Sequence, residues 1–304
     1  MIATTLCAKQ QTPIQKLVLG TVQLGMPYGI NNMSGQPSSQ EAQQILQYAY
    51  DHGIRTLDTA DAYGTAIQEI GTFHASSQCQ FRVITKFHAD ATTDITQKLR
   101  ETLDALHIPA VYCYQFHCFH DICAFPHVHN ALRELQHSGY IHRVGVSVYT
   151  NDEILSAARM PMIDVIQFPF NLLDNMQLRG DVMRIAKSEG KELHARSIFL
   201  QGLLFKPIET FPKSLAPLIP YVQHLHRLRE SSRFATKPTA LQSLALHYVM
   251  YNPLIDAVLF GVETLSQLVD ILHFLQEPPD IGLLQEVDNI IVQEASLLNP
   301  SSWA

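Results

Sequence analysis

Short apolar runs, many of them β-branched, alternate along this chain with longer stretches in which apolar residues recur at helical spacing. The alternation occurs eight times, and its strand-like segments cover residues 16–24, 55–60, 82–87, 111–117, 143–149, 164–170, 192–199 and 256–261. Strands that are apolar almost throughout are typical of parallel sheets whose two faces are both covered. The pattern therefore predicts an α/β fold built from eight parallel βα units.

Eight βα units within 304 residues are what a (β/α)8 TIM barrel requires, and we predict a single domain over residues 1–304. Helix signals lie between the strands: a capping box at 38–41 precedes an amphipathic stretch that ends at Gly53, and Gly190 ends the helix before the seventh strand. Residues 205–237 form the longest irregular stretch and contain several prolines. A loop of this length is more often functional than idle, and one interpretation is a lid over substrate or cofactor.

Composition narrows the class of partner. The net charge of −7 and the pI of about 6.1 argue against a general affinity for nucleic acid or for an anionic membrane. The polar N-terminal residues 1–15 and the lack of any run of about 20 apolar residues predict a cytoplasmic protein without a membrane span. Five cysteines, an odd number, fit a reducing compartment. We expect a small-molecule partner, and the sequence does not indicate an oligomeric state.

Four polar residues follow the second, third and fourth predicted strands. Asp58 ends the second strand and Tyr63 lies in the loop after it, while Lys86 and His117 end the third and fourth. In a (β/α)8 barrel the carboxyl ends of all strands meet at one face, where active sites are built. We therefore expect these four side chains to form one catalytic site.

Their types fit proton transfer to a carbonyl oxygen. A carbonyl that accepts hydride needs a proton, and the Tyr63 hydroxyl could supply it if its pKa, near 10 when free, were lowered. Lys86 would lower that pKa by its charge, Asp58 would hold Lys86 protonated, and His117 would hydrogen-bond the substrate oxygen. The set indicates a reductase that acts on an aldehyde or a ketone.

The order of these four residues, with the segments 19–25, 145–149, 167–171 and 196–204, resembles the aldo-keto reductase superfamily over nearly the whole chain. Residues 26–37 are similar to a poorly characterised bacterial branch, some members of which are associated with sugars. The resemblance implies a (β/α)8 barrel, carbonyl reduction without a metal, and a nicotinamide dinucleotide held without a Gly-x-Gly-x-x-Gly motif.

The resemblance also implies cofactor-binding residues. Ser147 and Gln167 would contact the carboxamide, Arg196 would lie against the nicotinamide ring, and backbone amides of residues 197–203 would approach the pyrophosphate. The full set implied is Ser147, Gln167, Arg196, Ser197, Phe199, Gln201, Gly202, Gly261 and Gln267. Because the family by default prefers NADP(H), the resemblance favours NADP(H) over NAD(H).

Three departures from the family pattern bear on the cofactor. Val148 replaces a common Asn, and Ile67 stands where a Glu is usual. Residues 261–270 lack the Lys and Arg that grip a 2′-phosphate in many relatives: Gln267 stands where an Arg is common, and Glu263 would repel a phosphate. An alternative function is therefore a nicotinamide-nucleotide-binding sensor or accessory protein with weak turnover or none.

Histidine is concentrated in the middle of the chain, where seven of the fifteen lie within residues 107–142. The run from His117 through His120 to Cys123 raises the possibility of a metal-dependent hydrolase, but its spacing matches no compact zinc pattern. We therefore predict no metal ligands. His120 is the alternative to His117 in the catalytic role, and Cys113 is interpreted as a core residue.

Overall fold

The computed structural model describes residues 13–230 and 240–303, and its strands close into a parallel barrel in chain order, each paired with the next and the eighth with the first. The strands are β1 (Leu17–Gly20), β2 (Thr56–Asp58), β3 (Arg82–Phe87), β4 (Val111–Phe116), β5 (Ile141–Ser147), β6 (Val165–Pro169), β7 (Glu192–Arg196) and β8 (Ala257–Gly261). The α-helices are α1 (Val22–Gly25), α2 (Ser39–Asp51), α3 (Ala66–Ser76), α4 (Ile95–Leu106), α5 (Phe119–Ala124), α6 (Val128–His137), α7 (Asn151–Ala158), α8 (Met176–Ser188), α9 (Ile219–Glu230), α10 (Ala240–Met250), α11 (Leu265–Phe274) and α12 (Ile281–Val287). The predicted (β/α)8 TIM barrel is confirmed.

Side chains on the two faces of the strands form separate cores. Outward-facing residues such as Leu19 and Phe168 are fully buried between the barrel and the surrounding helices. A smaller cluster fills the barrel interior, and Cys113 belongs to it with no exposure, in agreement with its interpretation as a core residue. Burial on both faces explains why the strands read as nearly unbroken apolar runs.

Several predicted helix ends are confirmed. The Ser38 side chain accepts from the backbone of Glu41, whose carboxylate accepts in return from the Ser38 backbone, and this capping box starts α2. Gly190 adopts φ 76° just before β7, a left-handed conformation that glycine tolerates best. Over the ranges described, none of the helices is both long enough and apolar enough to cross a membrane.

The first and seventh predicted strands run at least three residues past the observed carboxyl ends, and the residues removed from them form part of the site. The first ends at Gly20 rather than at residue 24, because Thr21 leaves the extended conformation, with ψ 7°, and the chain turns into α1. The seventh ends at Arg196 rather than at residue 199, because Ser197 adopts φ 56°. A left-handed residue such as Ser197 cannot continue a strand. Both changes place turns at the barrel mouth.

The stretch 205–237 is not irregular as predicted. It contains 3-10 turns at Ile208–Thr210 and Lys213–Leu218 and then the helix α9, while residues 231–239 lie outside the described part of the chain. Pro220 is the second residue of α9, where the missing N–H costs no helical hydrogen bond. Proline therefore marks the start of a helix here rather than a loop.

Candidate active site

A cavity of about 570 Å³ opens at the carboxyl ends of the strands. It is bounded by Gly20, Asp58, Ser147, Arg196 and Gly261, the last residues of five of the strands, and by loop residues beyond them. Every site residue predicted from the sequence lines this cavity except Lys86. The barrel therefore brings the predicted catalytic and cofactor-binding residues to one place.

Lys86 lies directly behind the cavity wall and is paired with Asp58. Its Nζ lies 2.5 Å from Asp58 Oδ1 and 3.0 Å from the Thr59 carbonyl oxygen, and the Lys86 and Asp58 side chains are only 1% and 5% exposed. Burial lowers the pKa of Lys86, but the charge of Asp58, the phenol of Tyr63 and the hydrogen bond to Asp58 together raise that pKa above its ordinary value. The ammonium is therefore held charged beneath the cavity.

Gln167 is the second partner of Asp58. Its Nε2 donates to Asp58 Oδ2 at 2.9 Å, so both carboxylate oxygens of Asp58 are bonded, one to Lys86 and one to Gln167. The Oε1 atom of Gln167 is buried without a hydrogen-bond partner among the described residues. Gln167 thus orients the carboxylate with one end of its amide and leaves an acceptor at the other.

Tyr63 is positioned by a glycine-dependent turn. Gly64 adopts φ 54°, and a Cβ on Gly25 would lie 1.9 Å from the Tyr63 carbonyl oxygen, so α1 packs against this turn at backbone distance. The Tyr63 ring centroid lies 5.1 Å from Lys86 Nζ. The sequence motif around Tyr63 thus depends on two glycines that have no chemical role of their own.

The pKa of Tyr63 differs in direction from the sequence prediction. Burial raises this pKa above its ordinary value, and the opposing charge of Lys86 lowers it by less. The reason is that the phenol is largely surrounded by protein, which disfavours its anion. A raised pKa keeps the phenol protonated at neutral pH, which is the form that a proton donor needs.

His117 contributes a neutral imidazole. Burial, the charge of Lys86 and the nearby His88 together lower its pKa to about 3. Its ring meets the Tyr63 ring edge-on, with centroids 5.8 Å apart, and stacks on the His88 ring at 4.5 Å. His120, the alternative considered, is exposed and does not line the cavity. Of the two histidines, His117 is the one beside Tyr63.

Arg196 links the ends of β5 and β7. Its Nε donates to Ser147 Oγ at 3.3 Å, its Nη2 donates to the Val148 carbonyl oxygen at 3.1 Å, and its guanidinium lies 4.2 Å from the centre of the Tyr149 ring. Ser147 is therefore already a partner of Arg196. Stacking on Tyr149 holds the guanidinium flat against one wall of the cavity.

The loop after β7 has an unusual backbone. Ser197, Leu200 and Gln201 have φ values of 56°, 49° and 53°, and Gly202 has φ 84°. Left-handed non-glycine residues are uncommon and concentrate at functional sites. The Leu200 amide donates to the Ser197 carbonyl and the Gly202 amide to the Phe199 carbonyl, each at 2.9 Å, so these two amides of the predicted pyrophosphate loop are engaged within the loop.

The far end of the cavity is acidic. The Glu263 backbone N–H donates to Gln267 Oε1 at 2.7 Å, and both side chains line the cavity together with Asp270. Burial raises the pKa of Glu263. Among the described lining residues this end offers no cation, so the predicted Gln267 contact lies beside a carboxylate.

Sequence reasoning missed several lining residues, among them Gln23, Tyr149, Gln242 and Asp270. Tyr149 lies in the segment 145–149 that resembles the family, but no role was predicted for it, because its cation-π contact with Arg196 joins residues that follow or end different strands. Gln23 was predicted to lie within a strand, but it lies in α1, and a Cβ on Gly261 would come within 2.3 Å of Gln23 Oε1. Helix α10 carries Gln242, for which the sequence offers no local signal.

Comparison with known proteins identifies the family of this chain. Residues 16–291 match the family model described as the aldo/keto reductase family. The chain is 21% identical over 280 residues to the aldo-keto reductase YhdN of Bacillus subtilis, covering 83% of this chain and 82% of that protein. The structure of the aldo-keto reductase AKR11C1 from Bacillus halodurans in its holo form has a TM-score of 0.72 at 19% identity, with 92% of this chain and 94% of that chain covered. The glycerol dehydrogenase AKR11B4 from Gluconobacter oxydans has a TM-score of 0.68 at 19% identity, with 90% of each chain covered. The chain belongs to the aldo/keto reductase family.

Proposed function

We propose that this protein is a cytoplasmic, single-domain oxidoreductase that reduces an aldehyde or a ketone, with Tyr63 as the proton donor. The observation that carries the proposal is the position of Tyr63 in the cavity wall. Its ring centroid lies 5.1 Å from the buried Lys86 ammonium and 5.8 Å from the centre of the His117 ring. A small carbonyl compound is the substrate class, and the likeness to a branch associated with sugars suggests a polyhydroxylated one.

The four residues divide the work. Tyr63 is protonated at neutral pH and gives its proton to the substrate oxygen, and the Lys86 charge then stabilises the resulting phenolate. Asp58 keeps Lys86 charged and in place through the 2.5 Å contact. His117, neutral because its pKa is about 3, donates a hydrogen bond to the same substrate oxygen without competing for the proton.

The residues present fit a nicotinamide dinucleotide, which supplies the hydride when bound. The unpartnered Oε1 of Gln167 is a buried acceptor that needs a donor such as a carboxamide N–H. The flat Arg196 guanidinium at the strand ends fits a planar ring or an anionic group. A metal is not needed for this chemistry, and Ser147 and Gln167 remain the proposed carboxamide ligands.

The choice between NADP(H) and NAD(H) depends on the acidic end of the cavity. The resemblance to the family predicts a preference for NADP(H). The Glu263 carboxylate would repel the 2′-phosphate of NADP(H) there, and Gln267 is already bonded to the Glu263 backbone. We therefore propose that NAD(H) binds at least as well as NADP(H).

A second candidate function is a nucleotide-binding sensor with little turnover. It is favoured by the engaged amides of Leu200 and Gly202, which are not free to bind a pyrophosphate in this loop conformation. Weak cofactor retention would suit a protein that responds to nucleotide concentration. The intact set of Tyr63, Lys86, Asp58 and His117 favours the reductase instead.

The test is a fluorescence titration with NADH and NADPH, followed by turnover of the bound nucleotide with aldehydes and ketoses. In Tyr63→Phe we expect kcat to fall by about a hundredfold or more while the nucleotide dissociation constant changes less than about twofold. Tyr140→Phe, which alters a tyrosine exposed on the surface, is the matched control. Binding without turnover by the unaltered protein would support the sensor, and full activity in Tyr63→Phe would refute the role of Tyr63.

A further inference from the structure

A second group of reactive side chains lies beside the candidate active site. Within the described ranges, His88, Cys118 and Asp121 form a cluster whose nitrogen, sulfur and oxygen atoms all lie within 4.8 Å of one another. His88 lies in the loop after β3, Cys118 directly precedes α5, and Asp121 lies within α5. This set shares Cys118 with the run from His117 to Cys123 considered in the sequence, but it takes its histidine from a neighbouring strand end.

Asp121 is the centre of the cluster. The Asp121 side chain is 8% exposed. Its Oδ2 atom lies 3.3 Å from His88 Nδ1 and accepts from the Ala89 backbone N–H at 3.1 Å. Its Oδ1 atom accepts from Cys118 Sγ at 3.1 Å. A buried carboxylate whose orientation is fixed by a backbone amide is pre-organised as a ligand.

The distances suit a small tetrahedral ion. With bonds of about 2.0–2.2 Å to nitrogen and oxygen, two ligand atoms of a tetrahedral zinc ion lie about 3.4 Å apart. His88 Nδ1 and Asp121 Oδ2 are 3.3 Å apart in the structure. The other separations, all within 4.8 Å, close by small rotations of side chains, and the His88 side chain is 54% exposed.

The donor set selects the kind of ion. One imidazole nitrogen, one sulfur and one carboxylate oxygen form a mixed set that suits zinc, whereas magnesium and calcium prefer oxygen alone. An ion has to displace the proton of the Cys118 thiol to bind there. The exposed side of His88 leaves room for a water as the fourth ligand.

We propose that His88, Cys118 and Asp121 bind a divalent cation of the zinc type at the rim of the candidate active site. The site is separate from the proposed chemistry, because neither His88 nor Cys118 lines the cavity. It is nevertheless in contact with it: the His88 ring stacks on the His117 ring at 4.5 Å with 17° between their planes. An ion on His88 Nδ1 therefore fixes the ring against which His117 packs.

The first experiment titrates the full-length protein with Co²⁺ under anaerobic, reducing conditions and follows the absorbance. We expect one equivalent to produce a thiolate-to-cobalt band in the near ultraviolet, which added Zn²⁺ abolishes. Cys118→Ser should remove the band and weaken binding about tenfold or more, while Cys123→Ser, which alters a nearby exposed cysteine, should retain both. His88→Gln should weaken binding and His120→Gln should not.

A cobalt complex without the thiolate band, or a band that survives in Cys118→Ser, would overturn the proposal. X-ray absorption on the zinc-loaded unaltered protein gives an answer that requires no variant to fold. One sulfur at about 2.3 Å with nitrogen and oxygen at about 2.0–2.2 Å is expected, and a shell without sulfur or with several sulfurs would refute the assignment. Because these readouts require no turnover, they are independent of the reductase proposal.

Discussion

The buried pair of Asp58 and Lys86 leads to a quantitative prediction about stability. Asp58→Asn preserves the shape of the side chain but removes the charge that faces Lys86 Nζ at 2.5 Å. The ammonium then has only uncharged acceptors, among them the Thr59 carbonyl at 3.0 Å, in a site where its side chain is 1% exposed. Leaving a buried charge without its counterion costs about 3–5 kcal/mol.

The size of the effect can be expressed as a melting temperature. Unfolding entropy is about 2 cal/mol/K per residue, which for this chain amounts to about 0.6 kcal/mol/K. A loss of about 3 kcal/mol therefore lowers Tm by about 5 °C at neutral pH. Asp61→Asn is the matched control, because Asp61 pairs with Lys98 at 2.7 Å near the surface, where both side chains are partly exposed. Such a pair contributes about 0–1 kcal/mol.

The pH dependence supplies a second readout for the same variant. In the unaltered protein the pKa of Lys86 is raised, so its stabilising contribution is present below the ordinary pKa of lysine and is lost as pH rises through the raised value. Without Asp58, burial dominates and lowers that pKa below the ordinary 10.5. The unfolded state then binds the proton more tightly, so the deficit of Asp58→Asn should shrink as pH rises toward that value.

Thermal unfolding followed by circular dichroism at several pH values measures both effects. If Asp58→Asn and Asp61→Asn lowered Tm equally, by about 1 °C or less, the account of a buried and mutually dependent pair would be wrong. A deficit that did not change with pH would instead show that Lys86 does not titrate as argued.

Three further predictions concern the site around this pair. Gly25→Ala should lower kcat by about tenfold or more, because the added Cβ displaces the turn that carries Tyr63. Gly282→Ala in α12, where a Cβ meets only ordinary contacts, is the control and should leave kcat unchanged. Equal kcat in the two folded variants would contradict this packing role of Gly25. The pKa of His117 is lowered to about 3 in the folded state, so the unfolded state takes up its proton first and stability falls as pH drops below about 6.5. His117→Gln should therefore lose less stability than the unaltered protein between about pH 7.5 and about pH 5, measured by urea unfolding, and an equal loss would refute the lowered pKa. Glu263→Gln should raise the affinity for NADPH relative to NADH by about tenfold in fluorescence titrations, and an unchanged ratio would show that this carboxylate does not face the 2′-phosphate.

Local patterns in the sequence were sufficient to predict the barrel and to show which polar residues lie at the ends of its second, third and fourth strands. Apolar runs of strand length, helical spacing and the capping box at Ser38 depend on neighbouring residues, so they can be recognised without tertiary contacts. Because parallel strands present their carboxyl ends at one face, the same patterns indicated that Asp58, Lys86 and His117 would meet. The strand limits at Gly20 and Arg196 were less predictable, since both depend on turns.

Contacts between distant residues were decided only in the folded chain. Gln167 and Asp58 are 109 positions apart, and their hydrogen bond gives Gln167 a role that its place in a strand does not reveal. The stacking of His88 on His117 and the gathering of His88 with Cys118 and Asp121 likewise depend on how two loops pack. The direction of the Tyr63 pKa depends on how completely the phenol is enclosed. Residue types and their order along the chain determined which groups reach the barrel mouth, whereas distance and desolvation, which exist only in three dimensions, decided the partners and charge states of those groups.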